Sequence, residues 1–156
     1  MHIRLVAVGD RQPSWVNSAF DDYTTRLPPQ WRFRLDEIGT APRRKSARPG
    51  AAKDAEAQTV LSRIKPAEQL VLLDESGKQF ASRELAERID RWQTVGEDVV
   101  FVIGGPDGVA DDIRQRANLT WSLSRLTLPH GLARVLYAEQ MYRAWSLLSG
   151  HPYHRD

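Results

Sequence analysis

Cysteine is absent from the 156 residues, which excludes a disulfide framework, a thiolate metal site and a thiol nucleophile. Long apolar runs are absent too. No stretch approaches the roughly 20 consecutive apolar residues that a bilayer-spanning helix needs. The opening MHIRLVAVGD holds only a short apolar patch before it turns polar, the pattern of a strand and not of a secretory leader. A cytoplasmic protein without a membrane partner is the expectation. The sequence also lacks GxGxxG, the phosphate-loop pattern GxxxxGK followed by Ser or Thr, and a nucleophile elbow, so dinucleotide, triphosphate and serine-hydrolase chemistry have little support. His151 and His154 flank Pro152 with no obvious third ligand, and no metal is expected. An excess of one charge is missing as well: 22 basic against 20 acidic residues leave a net charge of +2.

What is present describes a globular chain. The apolar share is 41% and the charged share 27%, and this length suits one domain able to bury a core. Apolar runs alternate with helical patterns. His2–Val8 reads as a strand closed by Gly9-Asp10. Pro13 opens a helix whose face carries Trp15, Val16, Ala19, Phe20, Tyr23 and Leu27. Trp31–Ile38 alternates apolar and charged residues, as an edge strand does.

Ala51–Ile64 reads as a helix with Ala55, Thr59, Val60 and Ile64 on its stripe, stopped by Pro66. Gln69–Asp74 and Val99–Ile103 are continuous apolar runs, the signature of strands buried on both faces. Between them, Glu75–Lys78 reads as a turn, and Ser82 as the N-cap of a helix with Leu85, Ile89 and Trp92 on its face. Ala110–Asn118 predicts a short helix, Trp121–Leu128 a strand, and Gly131–Gly150 the longest helix. No internal repeat or linker divides the chain. An α/β fold with a mostly parallel sheet flanked by helices follows.

The last helix carries apolar side chains nearly all round, from Leu132 to Leu148, with charge only at Arg134, Glu139 and Arg143. In so small a protein, one side is expected to meet another chain, and a homodimer follows.

Four stretches are candidates for chemistry. Gly104-Gly105-Pro106-Asp107-Gly108 follows a buried strand, where glycines let a ligand approach the backbone, although a bare β–α turn fits the same residues. Leu126–His130 ends a strand in Pro129 and sets His130 at a helix start, as a cap or as a functional imidazole. The loop Arg43–Arg48 (RRKSAR) holds four cations and no acid, fitting either a solvated loop or an arm that contacts phosphate. The tail His151–Asp156 concentrates a tyrosine, two histidines and an arginine, fitting a frayed end or a stacking and phosphate-binding element.

Taken together, VIGGPDG at 102–108, WSLSRLTLPH at 121–130, RVLYAEQMYRAW at 134–145 and the closing HPYHRD resemble the ribosomal large-subunit pseudouridine N3-methyltransferases (the methyltransferase H family of the SPOUT superfamily). LVAVGD at 5–10 and the total length match too. The resemblance implies a C-terminal part threaded as a trefoil knot and a homodimer built on the last helix. It implies an S-adenosylmethionine site at Leu73, Gly104, Gly105 and the backbone of Leu123, Ser124, Arg125, Leu126, Thr127 and Leu128. The catalytic side would be His130, Tyr153 and Arg155, the last two reaching the partner chain's cofactor. His130 is the candidate base for the acceptor proton and Arg155 the candidate stabiliser of the resulting anion. The implied substrate is a pseudouridine of 23S rRNA in the ribosome. The terminal Asp156 departs slightly from the pattern, and the basic loop matches it loosely. Two other classes remain. One is a non-catalytic RNA-binding assembly factor. The other is a small nucleotide hydrolase, whose only adjacent acidic pair near the glycine turn would be Asp111-Asp112.

Overall fold

Residues 1–155 are described in the computed structural model, and Asp156 lies outside them. The β-branched and leucine-rich runs form five strands: β1 (Ile3–Val8), β2 (Arg34–Ile38), β3 (Gln69–Lys78), β4 (Val99–Ile103) and β5 (Leu119–Trp121). The helices are α1 (Ser14–Thr24), α2 (Ala51–Ser62), α3 (Ser82–Val95), α4 (Asp111–Arg116) and α5 (His130–Ser149). All strand pairs are parallel, in the order β2-β1-β4-β3-β5. Leu5 and Val71 flank Phe101 in register. Every residue of β4 is buried, as a central parallel strand covered on both faces must be.

The two faces have separate cores. Phe20 of α1, Leu85 and Ile89 of α3, and Tyr137 and Met141 of α5 cover one face. Ala57 and Val60 of α2 and Ile113 of α4 cover the other. Connections that step one way across the sheet therefore run over one face and those that step back run over the other, as right-handed crossovers require. One consequence positions the site. At its C-terminal end β4 departs towards α4 on one face, while both neighbours, β1 and β3, depart towards helices on the opposite face. Divergent departures open crevices beside a strand end, and here they open on both sides of β4.

The structure corrects several local expectations. Trp15 is exposed and Ala19 half-buried, so α1 buries only Val16 and Phe20. Trp31 belongs to a separate helical turn, Pro29–Trp31, with Arg32 in the left-handed region at φ 44° before β2 begins. On α2 the buried face is Glu56, Ala57 and Val60, while Ala55 and Thr59 are exposed. Buried Glu56 is held by Arg43 and the Ala41 amide, an arrangement that apolar periodicity cannot register. The N-cap of α3 is Ala81; Ser82 instead donates to Gln140 of α5 (2.7 Å).

Two corrections reach the site. Glu75–Lys78 continues β3 instead of turning, through an irregularity after which Lys78 pairs with Trp121. Gly77 permits this, since a Cβ there would lie 2.7 Å from the backbone of Thr120 and Trp121. The expected strand Trp121–Leu128 stops at Trp121. Beyond it, the Ser122 hydroxyl donates to the Ser124 carbonyl (2.8 Å) and the Leu126 amide to the Ser124 hydroxyl (2.9 Å), local bonds that replace a ladder.

Candidate functional site

The crevice between β3 and β4 is a cleft of about 350 Å³, within the range of small-molecule sites. Leu73, Asp74 and Glu75 from β3 form one side, and Ile103 with the turn Gly104–Val109 forms the floor. The irregular segment from Leu123 to Pro129, with His130 at the start of α5, closes the other side. Of the residues that the resemblance implied for a cofactor, Leu73, Gly104, Gly105, Leu123, Ser124, Leu126, Thr127 and Leu128 all line it; Arg125 is exposed and does not. Among the described residues the lining holds no lysine or arginine, so a polyphosphate has no counter-charge here.

The glycine turn is tight for a physical reason. A Cβ on Gly104 would lie 2.5 Å from Val109 Cγ1, and one on Gly105 would lie 2.7 Å from Glu56 Oε2. The Gly108 amide donates to the Gly105 carbonyl (3.0 Å) and Gly108 sits at φ 79°. Across the mouth, the Thr127 hydroxyl donates to Glu75 Oε2 (2.9 Å), tying the irregular segment to the end of β3. Burial would raise the Asp74 pKa, but hydrogen bonds from Arg114 and Ser76 outweigh it and hold the carboxyl below its ordinary value.

His130 stands at the far wall. Arg134, one helical turn later, is 1% exposed. Its Nε donates to His130 Nε2 (2.8 Å), its Nη1 to Glu37 Oε2 (2.7 Å) and its Nη2 to the Gly9 carbonyl. A guanidinium only donates, so Nε2 is an acceptor and the ring proton sits on Nδ1, which donates to the Gly104 carbonyl (3.1 Å). Burial is the main influence lowering the His130 pKa, and the Arg134 charge adds to it; Gly104 and Glu37 oppose them. His130 is therefore a neutral imidazole with both nitrogens engaged. In this arrangement the Nε2 lone pair is taken by Arg134, and the Arg134 charge disfavours a second proton on the ring.

Tyr153 and Arg155 are not brought to this cleft. His151 caps a short turn by accepting from the Tyr153 amide (3.2 Å), and the Tyr153 hydroxyl donates to Glu139 Oε1 (3.0 Å). Its ring packs edge-on to Tyr142, with centroids 4.7 Å apart, and Arg143 lies over it. Burial, followed by the bonds to Tyr23 and Glu139, raises its pKa and keeps the phenol protonated. Residues 151–154 are thus docked on α1 and α5, and Arg155 is exposed.

Sequence reasoning missed Arg134, Glu37, Asp74 and Glu75. Arg134 was traceable in principle: a lone cation four residues after His130 in an apolar helix meets it on one face. Glu37 was not, because its partner lies 97 positions away.

A parallel α/β sheet with a glycine turn and an irregular segment enclosing a ligand-sized cleft defines a small α/β protein with a binding site at its strand ends, and the comparisons name its class. A family model described as "Predicted SPOUT methyltransferase" matches residues 1–154. The chain is 47% identical over 156 residues to ribosomal RNA large subunit methyltransferase H of Thioalkalivibrio sulfidiphilus, and 44% identical over 156 residues to the protein of that name from Hahella chejuensis; each alignment covers 100% of both chains. The Methylococcus capsulatus protein of the same name is 46% identical over 155 residues, 99% of this chain and 100% of its own. Among solved structures, a probable methylase family protein from Haemophilus influenzae superposes with a TM-score of 0.57 at 12% identity, over 99% of this chain and 70% of that one, a likeness of fold. The chain belongs to the ribosomal RNA large subunit methyltransferase H family of SPOUT methyltransferases.

Proposed function

We propose that this protein transfers the methyl group of S-adenosylmethionine to N3 of a pseudouridine in 23S rRNA, acting in the cytoplasm as a homodimer on an assembled ribosomal particle. Residues 1–156 form a single methyltransferase domain in this reading, its C-terminal part threaded as a trefoil knot as the family resemblance implies. The observation that carries the reading is the β3–β4 cleft itself.

That cleft fits the cofactor. Leu73, Ile103, Val109 and Leu128 offer apolar contact for a purine. The irregular backbone from Leu123 to Leu128 leaves amides and carbonyls outside any strand ladder to read the ring edge and sugar. Gly104 and Gly105 allow close approach, and the carboxylates Asp74 and Glu75 suit a ligand bearing positive charge. Bound here, S-adenosylmethionine supplies an electrophilic methyl on a sulfonium, which leaves as a neutral thioether. The chain's own contribution is alignment, which can account for a large part of such a barrier. His130, held by Arg134 and Gly104, forms a fixed wall against which the acceptor ring rests. As the acceptor loses its N3 proton to solvent, a guanidinium stabilises the anion. We assign that role to Arg155 from the partner subunit, with Tyr153 beside it.

Dimerisation completes the site in this account, since the tail's contacts within its own chain lie away from the cleft. The exposed apolar side chains Leu132, Leu136 and Leu148 on α5 and Trp15 on α1 supply a face for the second copy.

The test offers labelled S-adenosylmethionine with intact ribosomes, separated subunits and naked ribosomal RNA side by side, followed by nucleoside analysis. Label in N3-methylpseudouridine from one of them is the expected result. RNA binding without any transfer of label would reject the reading in favour of a non-catalytic assembly factor.

A further inference from the structure

The second crevice beside β4 lies on the far side of His130 from the proposed cofactor cleft. It lies between the C-terminal ends of β1 and β4 and forms a cleft of about 640 Å³. Gly9, Asp10, Gln12, Gly39 and Thr40 line it, and it shares Pro106 and His130 with the first cleft. The two clefts therefore meet at a single wall, with one ligand site directly beside the other. Gln12 sits against that wall: its side-chain oxygen lies 3.2 Å from where a Cβ on Gly131 would be, and its nitrogen 3.5 Å from one on Gly9.

The charge around this cleft is organised. Gly39-Thr40 leads straight into the basic loop, and the loop is tied down beside the cleft because Arg43 binds Asp107 (3.0 Å), next to Pro106. Nearby carboxylates are all paired: Glu56 and Asp107 share Arg43, Asp54 binds Arg48 and Glu37 binds Arg134, which leaves one negative charge uncompensated among them. Arg11, Arg44 and Lys45 are exposed and have no ion-pair partner among the described residues. The rim is positive although the chain as a whole is nearly neutral, and among the described residues Asp10 is the one acid on the lining.

We propose that this second cleft receives the acceptor nucleoside, with flanking phosphates of the RNA strand on Arg11, Arg44 and Lys45. The inference rests on the proposed methyl transfer and names the side from which the RNA enters. A pyrimidine ring presents alternating donors and acceptors along its edge, and Gln12 and Thr40 carry both kinds of group. A base seated there reaches the shared wall at His130, where its reacting nitrogen faces the first cleft. Cations on an exposed rim contribute affinity without reading sequence, which suits a substrate selected by the shape of its ribosomal setting.

The experiment compares the wild type with the double variant Arg44→Glu/Lys45→Glu on whichever ribosomal particle the wild type methylates. The Michaelis constant for that particle is expected to rise at least about tenfold, and the salt slope of binding to fall by about 1.5 for two lost phosphate contacts. S-adenosylmethionine affinity and thermal midpoint are expected to stay unchanged. A photoreactive benzoylphenylalanine at Thr40 is expected to crosslink to large-subunit rRNA. An unchanged Michaelis constant in an active enzyme, or a crosslink to ribosomal protein alone, would overturn the inference while leaving the methyltransferase reading intact. A wild type that methylates no ribosomal particle would overturn that reading, and this inference with it.

Discussion

The two clefts that flank the end of β4 are built from the same topology and differ in nearly everything else. Towards β3 the lining is apolar and acidic, its floor is fixed by glycines with no room for a Cβ, and its mouth is tied by Thr127 to Glu75. Towards β1 the cleft is larger and more polar, and its rim carries unpaired cations. One strand end thus carries two clefts of different character, because its connection leaves over one face while both neighbours leave over the other. The wall between them is His130, and Arg134 is what holds it. That guanidinium ties α5 to the end of β1 through Gly9 and to β2 through Glu37.

The comparison breaks most severely if the shared wall is removed. Arg134→Met is expected to cost about 3 kcal/mol of stability, because Gly9 and His130 lose donors in a buried setting. Its thermal midpoint should fall by several degrees, and Arg134→Lys should not restore it, since an ammonium cannot reproduce the fork that reaches three acceptors. Chemical denaturation checks both.

Gly104→Val tests one side alone. Its side chain must displace Val109 and the Gly108 backbone, so S-adenosylmethionine affinity measured by titration calorimetry should fall by about a hundredfold or more, close to 3 kcal/mol. The affinity of the same variant for ribosomes should hold.

A smaller effect comes from pH. Because the His130 pKa is lowered in the folded protein, the unfolded chain takes up a proton at this position where the folded chain does not. The contribution of His130 to stability is full above the ordinary imidazole value near 6.5 and is lost as pH falls below it, down to the lowered folded value. Denaturation midpoints from about pH 7.5 to 5 should show the loss, and His130→Gln should flatten it. The smallest effect is at Tyr137, whose hydroxyl is fully buried without a hydrogen-bond partner among the described residues. Tyr137→Phe should leave stability unchanged or raise it by up to about 1 kcal/mol, and should alter neither cleft.

The clefts also differ in how far the sequence revealed them. The β3–β4 cleft was legible because buried runs ending in Gly104-Gly105 and in Pro129-His130 are local signals, and the family resemblance joined them. The β1 cleft was not. Its residues, Gly9 to Gln12 and Gly39-Thr40, sit in ordinary turns, and only strand order brings them together. The basic loop was visible as charge, but which of its cations are free depends on Glu56 and Asp107, 13 and 64 positions from Arg43. Strand limits failed where side chains bonded locally, as at Ser122–Ser124, or where Gly77 let β3 run on past an apparent turn.

Steady-state kinetics with both substrates varied test the division between the clefts most directly, using Leu128→Ala on one side and Lys45→Glu on the other. Loss of apolar contact at Leu128, about 1–2 kcal/mol, should raise the Michaelis constant for S-adenosylmethionine and leave that for ribosomes alone. Lys45→Glu should do the reverse. Variants that both move the same constant would contradict the account, because the two clefts would then be parts of one site.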